Sequence, residues 1–163
     1  MKIVSNASVL IGLSSIGKLF LVRERFPQGI LIPEAVRREV IDEGEGRPGA
    51  REISESKWIK VRKVADKRIV GLLLTELDKG EAEAIALARE VGAGVILLDE
   101  RDARRAAKRM NLKVLGTVGV LIWAKKVGKV GSLKEELNAL RDHGKFRFGQ
   151  LIYENALREV GEL

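Results

Sequence analysis

The sequence predicts an α/β fold, a three-layer sandwich in which helices cover both faces of a mostly parallel central sheet. Short apolar runs alternate along the chain with segments of helical periodicity. One run, Val95–Leu98, has no polar residue, which is typical of central parallel strands. The 163 residues suffice for one compact domain but hardly for two. We therefore expect a single domain over residues 1–163, with residues 131–163 as a helical extension packed on it.

The predicted elements follow one another closely along the chain. Apolar and β-branched runs predict strands at Lys2–Ser5, Gly29–Ile32, Trp58–Val64, Val95–Leu98 and Lys113–Leu115. Helical spacing predicts helices at Ala7–Leu21 with a break near Gly17, Glu34–Ile41 with Pro33 as the first helical residue, Ala50–Ser56, Gly80–Val91, Arg101–Met110 and Thr117–Lys126. Residues 132–163 predict two further helices separated near 144–149. Gly44–Gly49 is predicted as a loop, and Ile69–Leu77 stays open between a helix and an extended linker.

The composition excludes several kinds of site. The chain has no cysteine, so it can form neither a disulfide nor a thiolate metal site, and it cannot use a cysteine nucleophile. A single histidine rules out a histidine-rich zinc site. No apolar run approaches the roughly 20 residues of a membrane span, and no secretory signal is recognisable. We expect a cytoplasmic protein without a membrane partner.

The net charge of +7 has two interpretations. A basic protein that also gathers acids at one site is typical of an enzyme acting on a polyanion. Many Lys, Arg and Glu residues without Cys are also typical of the surface of a thermophile's protein. Both interpretations can hold together, so the charge by itself decides little.

Five polar side chains lie where predicted strands end or on early helical turns: Asn6, Glu39, Glu81, Asp99 and Asp102. In an open α/β sheet, such positions meet at the carboxyl edge of the strands, where ligands bind. Carboxylates gathered at one edge repel one another unless a positive charge lies between them. Hard oxygen ligands suit Mg²⁺ or Mn²⁺, so the pattern indicates a divalent-metal site.

Each of these residues also has a structural interpretation. Asn6 and Asp99 could cap the helices that follow them. The segment Asp78–Glu81 resembles a capping box, in which an acid at the cap and a Glu three residues later bond each other's backbone. Glu39 falls within an apolar helical stripe, where a carboxylate is costly unless it is paired or metal-bound.

The predicted helix Arg101–Met110 is strongly basic, with arginines at four-residue steps that would repel one another unless an anion is near. A solvated face is the ordinary interpretation, and a nucleic-acid track beside the metal is the sharper one. In the second case Arg101, Arg104 and Arg105 would position a polynucleotide strand. Ser8 could hold a phosphate or orient a water.

Two further patterns bear on nucleotide binding. The segment from Gly12 to Lys18 matches most of a phosphate-binding loop, but Leu19 occupies the place where such a loop needs Ser or Thr. An unrelated nucleotide-binding α/β domain is therefore the least favoured hypothesis. The aromatic residues Phe146, Phe148 and Tyr153 interleave with charges and could stack bases, although anchoring of the last helix is the more ordinary role.

Taken together, these segments resemble the PIN-domain family, in particular prokaryotic PIN-like proteins related to VapC-type toxins. The residues that carry the resemblance are Val4–Ser8, Ile32–Glu39, Gly80–Ala88 and Leu98–Arg104. Their order and spacing fit over about residues 2–125. The resemblance implies a Rossmann-like α/β/α sandwich and a ribonuclease that depends on Mg²⁺ or Mn²⁺.

The resemblance also implies roles for individual residues. The family's acidic positions fall on Asn6, Glu39, Glu81 and Asp99, with Asp102 beside the last. Glu39, Glu81 and Asp99 would be catalytic, and all five residues would lie at the metal. The family usually has Asp where this chain has Asn6, so the rival hypothesis is a PIN-like domain that has lost its chemistry and only binds nucleic acid or protein.

The partners implied by the resemblance are RNA or DNA and a small antitoxin protein. Relatives with the toxin role pair with such an antitoxin and often dimerise, so we expect a homodimer. These expectations come from the family and not from any pattern in this chain.

Overall fold

The computed structural model, which describes residues 1–144 and 146–163, contains one central sheet of five parallel strands. The strands are β1 (Ile3–Ser5), β2 (Ile30–Ile32), β3 (Ile59–Val61), β4 (Val95–Leu97) and β5 (Val114–Leu115). Their spatial order is β3-β2-β1-β4-β5, and every pairing is parallel. Strands β2 and β3 are added on one side of β1, and β4 and β5 are added on its other side. This change of direction opens a crevice between the carboxyl ends of β1 and β4.

Helices occupy most of the connections between the strands. In chain order they are α1 (Ala7–Ser15), α2 (Phe20–Arg25), α3 (Glu34–Arg37), a π-helical turn (Arg38–Asp42), α4 (Pro48–Glu55), α5 (Lys67–Leu73), α6 (Lys79–Val91), α7 (Arg101–Arg109), α8 (Thr117–Lys126), α9 (Leu133–Asp142) and α10 (Gln150–Glu159). The break predicted near Gly17 within Ala7–Leu21 is observed, since Gly17 lies between α1 and α2 and has a φ of +70°, which suits glycine.

Side chains of the central strands alternate between two apolar cores, one on each face of the sheet. Ile3 and Leu97 belong to a core with α1, α2, α8 and α9. Val4, Ile96 and Leu98 belong to a second core with α5, α6 and α7. This alternation follows from the two-residue period of a strand. The predicted three-layer α/β/α sandwich is thus confirmed.

The structure differs from the predicted elements in several places. The strand predicted at Trp58–Val64 covers only Ile59–Val61. The open segment Ile69–Leu77 begins as a helix, since Asp66 caps α5 by accepting hydrogen bonds from the backbone N–H groups of the residues two and three positions later. Pro33 precedes α3, because its carbonyl accepts the first intrahelical bond.

The helix predicted at Glu34–Ile41 changes its geometry halfway. From Arg38 onward the backbone forms a π-helical turn, in which the Glu43 N–H donates to the Arg38 carbonyl at 2.8 Å. Such wide turns recur at functional sites. Val40 stays buried while Glu39 is half-buried, so the turn holds one carboxylate at the edge of the first core.

The C-terminal helices complete the first core. Leu133, Leu137 and Leu140 of α9 are fully buried there, together with Ala156 and Leu157 of α10. No helix within residues 1–144 or 146–163 is long and apolar enough to cross a membrane.

Candidate functional site

Asn6 lies directly after β1, at the carboxyl edge of the sheet. Its backbone N–H donates to the Leu97 carbonyl at 3.0 Å, which fixes it beside the end of β4. The side chain is only 5% exposed and makes no capping hydrogen bond to α1. Its Oδ1 atom has no hydrogen-bond partner in the described part of the chain. A buried acceptor of this kind is costly unless a donor or a cation reaches it.

Gly80 brings the oxygens of three side chains close to one point. A Cβ atom on Gly80 would lie 3.1 Å from Glu39 Oε1, 3.3 Å from Asn6 Oδ1 and 3.6 Å from Asp78 Oδ1. The missing side chain at the start of α6 therefore leaves a small space bounded by oxygen atoms. The approach of Asn6 to Glu39 agrees with the predicted site, and Asp78 joins them.

Glu81 lies beside this space and is held rigidly. It is 6% exposed, and it forms the capping box that the sequence suggested. The Asp78 N–H donates to Glu81 Oε1 at 3.1 Å, and the Glu81 N–H donates to Asp78 Oδ1 at 2.8 Å. The structural role and a role at the site are compatible, because the capping bond to the backbone engages only one of the two carboxylate oxygens.

Burial and neighbouring acids raise the pKa of both glutamates. For Glu39 the largest cause is desolvation, followed by the charges of Asp78 and Glu43. For Glu81 desolvation again raises the pKa most, the bond from the Asp78 backbone lowers it, and the charges of Asp78, Glu100 and Glu39 raise it. The site therefore favours a bound proton or a cation over free carboxylates.

Asp99 follows β4 and caps α8. Its Oδ1 accepts from the Thr117 backbone N–H at 2.7 Å, and its Oδ2 accepts from the Thr117 hydroxyl at 2.8 Å. Capping was the structural interpretation of Asp99, but the helix it caps is the one after β5 and not the one that follows it in sequence. A Cβ on Gly116 would lie 3.0 Å from Asp99 Oδ1 and 2.7 Å from Arg104 Nη1, so glycine permits this approach.

A cleft of about 1460 Å³ runs from the acids along α7 to the C-terminal segment. Glu39, Asp99 and Glu100 lie in its lining. The same lining also contains basic and aromatic residues, which are Arg101, Arg104, Arg105, Lys108, Arg109, Phe146, Arg147 and Phe148. The cleft thus contains both acids and cations in its lining.

The four residues predicted to bind nucleic acid, Ser8, Arg101, Arg104 and Arg105, all line this cleft. Arg104 is half-buried and donates to the Leu98 carbonyl at 3.0 Å, whereas Arg101 and Arg105 are exposed. The Ser8 hydroxyl is buried and has no partner among the residues described. The basic residues of α7 therefore line the cleft, and most of them are also exposed to solvent.

The structure does not bring Asp102 to the other acids. It is exposed on α7, and it is absent from the described lining of the cleft. Two acids that sequence reasoning left out, Asp78 and Glu100, instead contribute charge at Glu81. The sequence assigned Asp78 only to the capping box before Glu81, and it gave no role to Glu100, which directly follows Asp99.

The donor atoms fit a hard divalent cation in kind. They are carboxylate oxygens and one amide oxygen without a hydrogen-bond partner in the described chain, and both glutamates are destabilised as free anions. No three Asp, Glu or His side chains within residues 1–144 and 146–163 are close enough together to form a metal-binding group by themselves. Glu39, Glu81, Asp99 and Asn6 are the residues that could contribute to one.

A family-level comparison agrees with this architecture. No protein with a curated description matches the chain at a significant level. A family model described as a PIN domain matches residues 2–162, nearly the whole chain. The match also extends through α9 and α10, beyond the region on which the sequence resemblance rested. Together with the parallel sheet and the acids at its carboxyl edge, this match shows that the chain belongs to the PIN-domain family.

Proposed function

We propose that this PIN domain is a divalent-metal-dependent endoribonuclease. A PIN domain is a nuclease-type fold. The observation that carries the finer proposal is the cleft, whose lining combines acids with the cations of α7. A polyanionic strand is attracted to such cations, and the acids provide the ligands that a catalytic cation needs.

Glu39, Glu81 and Asp99 would hold Mg²⁺ or Mn²⁺, with the Asn6 amide oxygen as a neutral fourth ligand and Asp102 as a more distant neighbour. When bound, such a cation supplies a water of lowered pKa and neutralises charge on the phosphate. The capping box keeps Glu81 in one orientation, and the two hydrogen bonds from Thr117 do the same for Asp99.

The cations of α7 would position the substrate. Arg101 and Arg105 are exposed and free to bind successive phosphates, as their four-residue spacing on α7 places them on one face. Arg104 lies deeper, beside Gly116 and Asp99, and would contact the phosphate nearest the acids. Ser8 would donate its buried hydroxyl to the same phosphate or to a water.

One observation favours a second candidate, a PIN domain that binds nucleic acid or protein without cleaving it. Asn6 carries no charge, and the described carboxylates do not by themselves form a metal-binding group. Loss of one anionic ligand weakens the hold on a hard cation. In this case the cleft would keep its affinity for RNA and lose its chemistry.

The wider biological role follows the resemblance. We extend the proposal to the toxin of a toxin–antitoxin pair that acts in the cytoplasm, with a small antitoxin as partner and a homodimer as the assembly. Light scattering of the purified protein tests the dimer. Growth arrest on expression, relieved by co-expression of the neighbouring reading frame, tests the toxin role.

The experiment that separates the two candidates compares RNA and DNA of the same sequence. Purified protein is incubated with each single strand in Mn²⁺, in Mg²⁺ and in chelator, and the products are resolved by length. The nuclease proposal expects metal-dependent internal cuts in RNA. Binding that weakens with salt, without cuts under any condition, would instead support the binder.

A further inference from the structure

Aromatic and cationic side chains of the C-terminal segment form an ordered stack. The rings of Phe148 and Tyr153 are parallel within 4°, with centroids 5.9 Å apart. The Arg141 guanidinium lies 5.4 Å from the Tyr153 centroid. Asn138 Oδ1 accepts hydrogen bonds from the Tyr153 hydroxyl and from Arg141 Nη2, both at 3.0 Å. Tyr153 is thus fixed, and it fixes the plane of Phe148.

Phe146 forms the second ring of this wall. Its centroid lies 6.1 Å from that of Phe148, and the planes meet at 42°, so the two rings do not cover each other's faces. Phe146 packs on α1, where its Cδ2 would lie 3.6 Å from a Cβ on Gly12. Both phenylalanines are half-buried, and both line the cleft. Their ordinary role as anchors therefore leaves aromatic surface facing the cavity.

The cleft consequently offers two different chemistries along its length. Arg101, Arg105 and Lys108 of α7 present positive charge suited to phosphates. Phe146 and Phe148 present flat apolar rings suited to the faces of bases. A single polynucleotide strand carries both groups on opposite sides of its sugar, whereas a duplex hides its base faces inside the stack.

We propose that Phe148, supported by Tyr153 and flanked by Phe146, is a stacking platform for an unpaired nucleobase of the substrate. This inference rests on the proposed function for the nature of the substrate, and it deepens that proposal by assigning the C-terminal segment to the substrate site. Binding would then depend on the presence of bases and not only on phosphate charge.

The test measures the affinity of the purified protein for a short fluorescent single-stranded RNA in chelator, where no cleavage intervenes. The probe is compared with the same strand made abasic at every position. Phe148→Leu keeps an apolar anchor but removes the aromatic face. Phe148→Trp, a separate variant, provides a larger aromatic face. Phe20→Leu is the matched control, because Phe20 is an exposed phenylalanine of α2 outside the described cleft lining.

The platform predicts that Phe148→Leu weakens binding of the normal RNA about tenfold and leaves binding of the abasic strand unchanged. Phe148→Trp should bind the normal RNA at least as tightly as the wild type, and Phe20→Leu should match the wild type on both probes. Equal affinities of Phe148→Leu and wild type for the normal RNA would overturn the platform. So would an equal loss on both probes, which indicates a structural effect.

Failure of the stacking platform and failure of the nuclease proposal give different results. If the wild type does not cleave RNA but Phe148→Leu loses base-dependent affinity, the nuclease proposal is wrong and the stacking platform is supported. If the wild type cleaves RNA but binds the normal and abasic strands equally, the nuclease proposal is supported and the stacking platform is wrong.

Discussion

At the scale of single residues, Asn6 decides how much charge the site can hold. Its Oδ1 lies near Glu39 Oε1 at the edge of the space above Gly80, and it contributes a dipole where a carboxylate would contribute a full charge. A unit charge a few ångströms from a cation is worth about 4 kcal/mol at an effective dielectric of about 20. The identity of this side chain should therefore strongly affect the affinity of the proposed site for metal.

Replacement of Asn6 by aspartate should tighten Mn²⁺ binding by about tenfold or more, since a fourth anion joins Glu39, Glu81 and Asp99. Isothermal titration calorimetry of the metal-free protein measures this change. In chelator the same variant should unfold at a lower urea concentration than wild type, because the added charge is repelled. Unchanged Mn²⁺ affinity would show that the oxygen of residue 6 does not reach the cation.

The raised pKa of Glu39 makes a prediction about stability and pH. Its ionised form is disfavoured in the folded protein, so folding loses stability as the pH rises from the ordinary value of 4.5 through the raised pKa. Glu39→Gln removes this loss. In chelator the variant should be more stable than wild type at neutral pH, and the difference should shrink towards zero as the pH falls to about 4.5.

Urea unfolding at a series of pH values measures the Glu39→Gln effect. Glu135→Gln serves as its control, since Glu135 is exposed on α9. A stability difference that stays constant with pH, or one that favours the wild type at neutral pH, would contradict the electrostatic description of the site.

The residues of the site could be predicted only in part. Asn6, Glu39, Glu81 and Asp99 stand out because they end apolar runs or begin helices, and the structure places them at one edge. Asp78 and Glu100 could not be assigned in the same way, because their charge acts on Glu81 across space. The sequence left the choice between Asp99 and Asp102 for the fourth acidic position open by one helical turn.

At the scale of elements, Asp99 connects β4 to the start of α8. Both of its oxygens accept hydrogen bonds from Thr117, one of them from an N–H that has no partner within the helix. Asp99→Ala should therefore lower the free energy of unfolding by about 1 kcal/mol in addition to abolishing cleavage. Asp102→Ala, on the exposed face of α7, should leave the stability nearly unchanged. Urea unfolding of both variants in chelator measures the difference, and equal stabilities would refute the cap.

The start of α6 makes a second prediction at this scale. A methyl group on Gly80 would enter the space bounded by Glu39, Asn6 and Asp78. Gly80→Ala should reduce metal-dependent cleavage by about a hundredfold, because small displacements of catalytic groups lower the reaction rate strongly. Gly71→Ala is its control, because outside the adjacent residues and the backbone of its own helix no described atom lies within 4 Å of the added methyl group. The substitution should stabilise α5 by about 0.5–1 kcal/mol without loss of activity. Full activity of Gly80→Ala would show that the catalytic site does not include the space beside Gly80.

The elements were largely predictable because each has its own local signal. Strands without polar residues and helices with capping acids were located within a few residues. The π-helical turn after Arg37 was not, since its geometry depends on packing beneath α3 and leaves the helical pattern of Val36 and Val40 almost intact. The length of β3 was overestimated for a related reason: it lies at the edge of the sheet, where one neighbour is missing.

At the scale of the whole molecule, the chain has a net charge of +7, and the described lining of the cleft contains more cations than acids. Binding of RNA should therefore weaken steeply with salt, as counterions are released from the strand. Arg101→Ala combined with Arg105→Ala should reduce the slope of log affinity against log salt by about two, one for each phosphate that the variant no longer neutralises.

Fluorescence anisotropy at several salt concentrations in chelator measures this slope. Arg68→Ala provides the control, because Arg68 is an exposed cation of α5 outside the described lining of the cleft. An unchanged slope in the double variant, or an equal reduction in Arg68→Ala, would show that the strand does not follow α7.

The arrangement of the layers could be predicted from the alternation of strands and helices, but the cleft could not. Its basic residues come mainly from α7 and its aromatic part from residues more than 30 positions later, and only the packing of α9 and α10 on the first core brings them together. Local sequence patterns carry no information on such a distant pairing. For the same reason Phe146 and Phe148 were recognisable as aromatic residues among charges but not as part of a cavity.

The most direct test of the nuclease proposal is cleavage of a mixed single-stranded RNA by the wild type, Glu81→Gln and Glu135→Gln, in Mn²⁺, Mg²⁺ and chelator. Glutamine at residue 81 can keep the capping bond and removes the charge, so loss of activity reports on chemistry and not on folding. We predict metal-dependent cleavage by the wild type and by Glu135→Gln, with a loss of about a hundredfold or more in Glu81→Gln. Equal cleavage by all three proteins, or cleavage that persists in chelator, would contradict an acidic metal site at the start of α6.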